Sequence, residues 1–456
     1  MQRGKAFWKG SVRIRVTGRE PERFFNLCGH HNITLWDVTE HQGCFEMSLL
    51  PEDFFRLLPI RRKSGVRIRI HVFALVLALA LVMCGFTACS GKNGGSDTKT
   101  DADLTKVGEY TANNTEYVIG ATGPLTGDAS SYGNSVRNGA QLAVDEINAA
   151  GGLNGVNFKF DMKDDKAGAV EAGQGFTSLL EGGMQVSLGA VTSASCEAFG
   201  TAAAEYGIFF MTPSASAASV IETGDTAFRV CFGDPDQGTL AAQELTSKYK
   251  KIGAIYDTSD TYSQGIYDAF KAKMNELGVS YIEQTFDKEN KRDFSTQVAA
   301  LKDCDVIFLP IYYTEAGLIA KTCASKGCNA VLFGCDGLDG VASQIDSSVK
   351  NQIKYITPFD VNSKEEKVSK FVNSYKAKYN ALPDQFAADA YDAVYAVFNA
   401  MKKTGVNNVK VDPTALGTAM AKAITASDFS YDGVTGKMTW EASGACNKVP
   451  VIVELG

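Results

Sequence analysis

From Tyr117 onward, apolar stretches of strand length alternate with segments of helix length. Tyr117-Val118-Ile119-Gly120-Ala121 reads as a strand. Val136, Ala140, Ala143, Val144 and Ile147 then recur on one helix face, and Gly151-Gly152 stops that helix. Phe158, Phe160 and Met162 alternate as a second strand. Further apolar runs follow at 208–211, 252–256, 306–309 and 331–333, each separated from the next by a helix-length segment. Strands that read as unbroken apolar runs are buried on both faces. The alternation therefore predicts an α/β fold of parallel sheets covered by helices on both sides. A stretch of about 340 residues exceeds one comfortable core, so two such lobes are expected.

A second constraint lies at Cys89. Mostly apolar residues 72–88 follow the basic residues Arg61, Arg62, Lys63, Arg67 and Arg69 and end in Phe86-Thr87-Ala88-Cys89-Ser90-Gly91. The apolar stretch is short for a membrane span, which needs ~20 residues. Basic flank, short apolar core, small residues and then Cys is the order of a lipoprotein export signal. The reading is a signal at 71–89 with Cys89 lipidated, a flexible linker at 90–114 and a folded export domain at 115–456. A plain membrane anchor with an incidental cysteine is the alternative. Residues 1–70 read as a separate small α+β piece. Val12-Arg13-Ile14-Arg15-Val16 alternates as a strand, Pro21 opens a short helix, and 33–36 and 44–47 look like two more strands. A folded preface before a signal is unusual. A fused or early-started reading frame, with the natural signal beginning near Val66, is the expected account.

Charge and histidine use exclude several functions. Residues 1–70 carry thirteen Lys/Arg against seven Asp/Glu, a net of +6, which leaves −13 for the rest of a chain of net charge −7. The basic side of an apolar stretch stays cytoplasmic. The acidic remainder has no Lys/Arg cluster of the kind that neutralises nucleic-acid phosphates. All four histidines, His30, His31, His41 and His71, precede Cys89. A Ser-His-Asp or Cys-His nucleophile and the common His-containing zinc sites are therefore absent from the export domain. No Gly-x-Gly-x-x-Gly follows the first strand, so no cofactor and no enzymatic activity are expected. Eight cysteines remain from Cys89 onward, seven without the lipid-bearing one. Buried free thiols, one disulfide or a metal site all remain open for them.

Ligands of open parallel sheets bind beyond the carboxyl ends of the strands. Those loops are rich in hydroxyls: Val191-Thr192-Ser193-Ala194-Ser195 and Thr212-Pro213-Ser214-Ala215-Ser216. Hydroxyls beside the free N–H groups of a helix start suit a carboxylate, although ordinary helix caps use the same residues. On the other half, Tyr312-Tyr313-Thr314-Glu315 and Gly334-Cys335-Asp336-Gly337 offer phenols and a carboxylate for an ammonium, with a plain turn aspartate as the alternative. Donors for a carboxylate on one lobe and acceptors for an ammonium on the other are what an amino-acid zwitterion requires.

Residues 115–456 resemble the Leu/Ile/Val-binding family of solute-binding proteins for ATP-driven importers, which have the type I periplasmic-binding fold. The resemblance runs through 119–127, Gly139-Ala140-Gln141-Leu142-Ala143-Val144-Asp145-Glu146-Ile147-Asn148, 212–216, Asp234-Pro235-Asp236-Gln237-Gly238, 390–395 and Tyr431-Asp432-Gly433-Val434-Thr435-Gly436. It implies two Rossmann-like lobes joined by three hinge crossings near 234–237, 357–360 and 436–440. Lobe I would then be 115–235 and 360–436, and lobe II 236–359 and 437–456. It also implies that Ser193, Ser214 and Ser216 bind a ligand carboxylate, that Tyr312 and Asp336 face its ammonium, and that Tyr132, Thr192, Tyr262 and Phe386 line the side-chain pocket. The resemblance also implies that the disulfide of several family members is absent, because Thr192 stands where they have one cysteine and no cysteine lies near Ala167, where they have the other. The implied partners are a small amino acid, an ABC permease with its ATPase and a membrane reached through the lipid anchor. The protein would be a monomer at the outer face of the cytoplasmic membrane. Residues 1–70 resemble the start of the YqfD family of sporulation membrane proteins, through 10–16, 21–28 and 58–63. Two alternatives stay open: a sensory ectodomain joined across 72–88 to a cytoplasmic sporulation-type module, and a binding protein for a small amide.

Overall fold

The computed structural model describes residues 11–17, 24–25, 27–28, 33–41, 44–49, 67–74 and 102–455. The chain divides into two units, Met1–Asp97 and Thr98–Gly456.

In the first unit, β1 (Ser11–Thr17), β2 (Trp36–His41), β3 (Cys44–Leu49) and β4 (Arg67–Ala74) form an antiparallel sheet in the order β2-β3-β1-β4. The period of two in β1 sends Ile14 and Val16 into a small core with Phe24, Cys28, Ile33, Met47 and Leu49. The strand expected from residue 33 begins only at Trp36. β4 corrects the signal boundary. Arg67-Ile68-Arg69-Ile70 alternates as a strand does, and it pairs with β1 along its whole length. The first residues of the expected signal, 71–74, therefore belong to this sheet. The remainder, 75–89 with Cys89, lies outside the described residues. Among the described residues no helix is long and apolar enough to cross a membrane.

The second unit starts before residue 115, contrary to the linker boundary. Gly108 N–H bonds the Lys410 carbonyl at 3.1 Å, and Asp412 N–H bonds the Lys106 carbonyl at 2.8 Å. The fully buried Thr111 hydroxyl donates to the Lys410 carbonyl at 2.8 Å. The polar composition of 102–114 hides this, because the segment is held by backbone pairing and by only two apolar anchors, Leu104 and Tyr110.

Five strands alternating with four helices come next: β5 (Tyr117–Gly123), α1 (Ser130–Ala149), β6 (Phe158–Asp164), α2 (Ala169–Glu181), β7 (Val186–Ser187), α3 (Ser193–Glu205), β8 (Phe209–Thr212), α4 (Ala218–Ile221) and β9 (Ala227–Arg229). Their strands form a parallel sheet in the order β6-β5-β7-β8-β9. The pattern then restarts with α5 (Asp234–Lys248), β10 (Ile252–Asp257), α6 (Thr261–Leu277), β11 (Ile282–Phe286), α7 (Ser295–Ala300), β12 (Val306–Leu309), α8 (Tyr313–Lys326), β13 (Val331–Gly334) and β14 (Ile353–Thr357). This sheet repeats the same order, β11-β10-β12-β13-β14. All seven residues of β5 are buried, as a strand covered on both faces requires.

Three helices return to the first lobe: α9 (Glu366–Tyr379), α10 (Gln385–Thr404) and α11 (Pro413–Ile424). α10 packs along α1. A Cβ on Gly139 would lie 2.0 Å from the Ala387 carbonyl oxygen, so only glycine permits this approach. The hairpin of β15 (Tyr431–Gly433) and β16 (Gly436–Met438) precedes β17 (Val451–Glu454), which joins β14 as an antiparallel edge. The chain thus passes between lobes three times: from β9 to α5, from β14 to α9 and from β16 to β17. Trp440 Nε1 donates to the Arg229 carbonyl at 2.8 Å and Arg229 N–H to the Gly444 carbonyl at 3.2 Å. The chain therefore stays against lobe I until after Gly444, and the third passage falls later than 436–440.

Cys196, Cys231, Cys304, Cys323, Cys328, Cys335 and Cys446 are buried and unbridged. Burial, then the neighbouring Cys328, raises the Cys323 thiol far above its ordinary value.

Candidate functional site

Both sheets point the carboxyl ends of their strands at the cleft between the lobes. On lobe I, Thr192 ends the loop after β7 and Ser193 opens α3. The loop after β8 is pinned by Thr212, whose hydroxyl donates to the Ala190 carbonyl at 2.8 Å and accepts the Ala215 N–H at 3.0 Å. Ser214 donates its hydroxyl to the Val191 carbonyl at 2.8 Å, so that hydroxyl is already engaged. Ser193 Oγ accepts the Ala217 N–H at 3.3 Å and keeps its own proton for another partner. Ser216 Oγ is buried without a hydrogen bond, and the Ser216 carbonyl is held at 2.7 Å by Arg229 Nη1.

On lobe II, Asp336 begins a short 3-10 turn directly after β13 and is 5 % exposed. Tyr262 donates its hydroxyl to Asp336 Oδ1 at 2.7 Å and accepts the Gly337 N–H at 2.8 Å. Burial pushes the Asp336 carboxyl up to about 6, while the bonds from Tyr262 and Gln237 pull it down. Burial and then the Asp336 charge hold the Tyr262 phenol well above its usual value, so it stays a donor. The main chain of Asp336 is held as well. Its N–H donates to Gln237 Oε1 at 3.0 Å, and its carbonyl accepts Gln385 Nε2 at 2.6 Å.

Between these walls stands an aromatic box. Tyr262 and Tyr312 stack with centroids 4.9 Å apart, and Tyr132 lies against Phe386 at 4.2 Å. Tyr132, Thr192, Ser193, Ser214, Tyr262, Tyr312, Asp336 and Phe386 all line one cavity of about 10 Å³, room for one water molecule. The structure thus brings together eight of the nine ligand-site residues expected from sequence. Ser216 sits behind the wall and is not among the lining residues. A wider chamber of about 330 Å³ at the cleft mouth, with Asp128, Asp260, Lys291 and Glu315 on its walls, reaches Tyr312 from outside. Among the described residues no group of His, Cys, Asp and Glu is arranged to hold a metal ion.

Several residues in this cleft escaped the sequence reading. Gln237, Gln385, Tyr313 and Gly337 make polar contacts there; Gln237, Tyr313 and Gly337 lay inside quoted stretches without a role, and Gln385 lay outside them. Contacts across the cleft hold the lobes together. Ser131 N–H bonds Tyr313 Oη at 3.3 Å, Thr314 Oγ1 donates to the Asp128 carbonyl at 2.9 Å, and Arg292 pairs with Asp128 at 3.0 Å.

Two lobes of identical strand order, three connecting passages and a cavity walled by both define a bilobal solute-binding protein of the type I periplasmic-binding fold. The family profile described as periplasmic binding protein matches residues 116–449, and the chain belongs to that family. A second profile, that of the stage IV sporulation protein YqfD, matches residues 6–72. The chain is similar to the Leu/Ile/Val-binding protein BraC3 of Rhizobium johnstonii, 29 % identical over 341 residues, covering 72 % of this chain and 92 % of the relative. It is also similar to the branched-chain amino acid transporter substrate binding protein LivJ of Streptococcus pneumoniae, solved in complex with isoleucine. That match has 29 % identity and a TM-score of 0.64, and covers 75 % of this chain and all of the other. A leucine binding protein of Thermotoga maritima, at 24 % identity and a TM-score of 0.66 over 74 % of this chain and 94 % of its own, shares the fold.

Proposed function

We propose that the second unit traps a small L-amino acid, branched-chain or related, by closing its lobes, and delivers it to an ABC permease. The observation that carries this is the pairing of opposite chemistries across one cavity. Lobe I offers the Ser193 hydroxyl, with Ser216 and its loop close behind, to a carboxylate. Lobe II offers Asp336, with Tyr312 beside it, to an ammonium. Tyr132, Thr192, Tyr262 and Phe386 then hold the side chain. Charge-assisted bonds at both ends make the zwitterion a better fit than an acid or an amine alone. The relatives named for leucine, isoleucine and valine support the ligand class. The closed lobes support a hinge mechanism in which contacts made only on closing shift the population toward the closed form. In this reading the protein catalyses no reaction. It works as a monomer, lipid-anchored through Cys89 at the outer face of the cytoplasmic membrane.

Calorimetry against the twenty amino acids tests this. One aliphatic or small polar L-amino acid should bind, and its methyl ester should bind far more weakly. Equal binding of ester and free acid removes the serine assignment. Binding of a small amide in place of every amino acid moves the ligand to that class.

The first unit supports a second reading, because its strands enclose a core of their own and β4 runs into the apolar stretch. Here the binding unit is a sensory ectodomain joined to a cytoplasmic module. An intact mass of the native protein separates the two: a lipid-bearing chain starting at Cys89 supports the anchored transporter component, and a chain retaining 11–74 supports the sensor.

A further inference from the structure

Asp336 is clamped by two buried glutamines from opposite sides of the cleft. Gln237, 0 % exposed, comes from the first turn of α5 in lobe II and accepts the Asp336 N–H. Gln385, 1 % exposed, is the first residue of α10 in lobe I. Its carboxamide donates to the Asp336 carbonyl at 2.6 Å, and its own N–H bonds Asp339 Oδ2 at 3.0 Å. Gln385 also precedes Phe386, a wall of the aromatic box. The contact from Gln237 lies within one lobe, and the contact from Gln385 spans the cleft.

Gln385 looks costly as a mere filler. Its Oε1 is buried without a partner. An apolar side chain of similar shape would avoid that penalty, since a buried polar atom left unsatisfied is destabilising while a matched apolar replacement is nearly neutral. What an apolar residue would not do is hold the Asp336 backbone.

Building on the amino-acid reading of this cavity, we infer that Gln385 is a positioning residue that ties lobe closure to the placement of the Asp336 carboxylate, with Gln237 as its fixed counterpart. As α10 swings in, its carboxamide draws the Asp336 carbonyl toward lobe I and sets the turn that aims the carboxylate at the ammonium. The tightest hold on the ammonium then forms only in the shut cleft, so Gln385 governs release more than capture.

The test uses L-leucine, L-isoleucine or L-valine, whichever binds the wild-type chain tightest, beside the 2-hydroxy acid with the same side chain, which lacks the ammonium. Gln385→Met keeps the length and removes the donor. The expected result is a roughly tenfold faster release of the amino acid with capture unchanged, as loss of one bond to this turn predicts. The affinity of the hydroxy acid should stay within about twofold. Gln237→Met should likewise lower the ratio of amino-acid to hydroxy-acid affinity. Equal losses for amino acid and hydroxy acid, or no loss for either, overturn the inference and leave the amino-acid reading standing. Variants that no longer fold show the amides to be structural and overturn it too. A wild-type chain that binds none of the three amino acids overturns the branched-chain reading and this inference with it.

Discussion

The Tyr132 hydroxyl, on α1 of lobe I, donates to the Gly337 carbonyl of lobe II and accepts the Tyr313 N–H at 3.0 Å. One phenol thus closes two backbone groups of the facing lobe. Burial keeps its pKa well above the ordinary phenol value, so it remains a donor at any physiological pH. It sits where a bound side chain would press, with Phe386 on one side and Tyr312 on the other. This latch bridges the lobes across a cavity with room for about one water.

Tyr132→Phe removes both bonds and leaves the Tyr313 N–H and the Gly337 carbonyl without a partner in the shut form, a cost of about 1–3 kcal/mol. The ligand-free variant should populate the open form more than the wild type. Small-angle scattering should show a larger radius of gyration without ligand and the same radius once ligand saturates the cleft. An unchanged ligand-free radius removes the latch role.

Asp336→Ala should abolish the rise in melting temperature caused by the amino acid. Leaving one partner of a buried ion pair uncompensated costs about 3–5 kcal/mol. Thermal shift with the ligand found by calorimetry checks it. A variant that keeps full stabilisation places the ammonium elsewhere.

Closure should weaken as pH rises. Asp339 of lobe II and Asp384, which caps α10 of lobe I, lie close together in the shut cleft, each partly buried. Burial, and then the Asp384 charge, push the Asp339 carboxyl up to about 7, and burial raises Asp384 as well. Gln385 N–H and the Tyr355 phenol face Asp339, and Ser135 and the Ala387 N–H face Asp384. Opened to water, a carboxyl titrates near 4. The shut form therefore binds a proton that the open form gives up. Closure is fully favoured below about 4, loses ground as pH rises through about 7, and changes little above that. Asp336, at about 6, adds in the same direction. Scattering of the ligand-free protein from pH 5 to pH 8 should show opening, and Asp339→Asn should flatten the curve. Opening toward acid instead contradicts the sign.

Near the third passage, Lys448 donates to Asp389 at 2.6 Å and to the Thr435 hydroxyl at 2.7 Å, with the Lys448 side chain 1 % exposed. Burial alone would lower the ammonium, and the Asp389 carboxylate more than offsets it, so the net shift is upward. Lys448→Met should destabilise the second unit by about 3–5 kcal/mol, because Asp389 stays buried without its counter-charge. Adding Asp389→Leu should restore most of the loss. Urea unfolding of the single and double variants measures both, and equal stability of the two argues against the pair.

Much of the fold was legible because parallel strands covered on both faces read as nearly unbroken apolar runs, as β8, β10 and β12 do up to their last residue. The hydroxyl loops at 192–193 and 212–216 were legible as chemistry placed where such strands end. The placing of Tyr132, Tyr262 and Phe386 in the cavity wall was expected only through a family resemblance, since an aromatic residue at a helix start looks the same in a core as in a pocket. Gln237 and Gln385 carried no signal, being single polar residues without periodicity or charge. Arg67-Ile68-Arg69-Ile70 did carry one: its alternation is that of β4, but its basic residues drew the reading toward export. The edge strand β17 was too short to stand out.

By itself the sequence determined the layers, the repeated βα order and the contrast between hydroxyl-bearing loops and an acidic, aromatic wall, because burial periodicity and side-chain chemistry are local properties. Tertiary structure alone decided which serine faces the cavity, which amides clamp Asp336 and how tightly the lobes meet. Those depend on distances between residues hundreds of positions apart, and such distances are set only when the hinged chain packs in three dimensions.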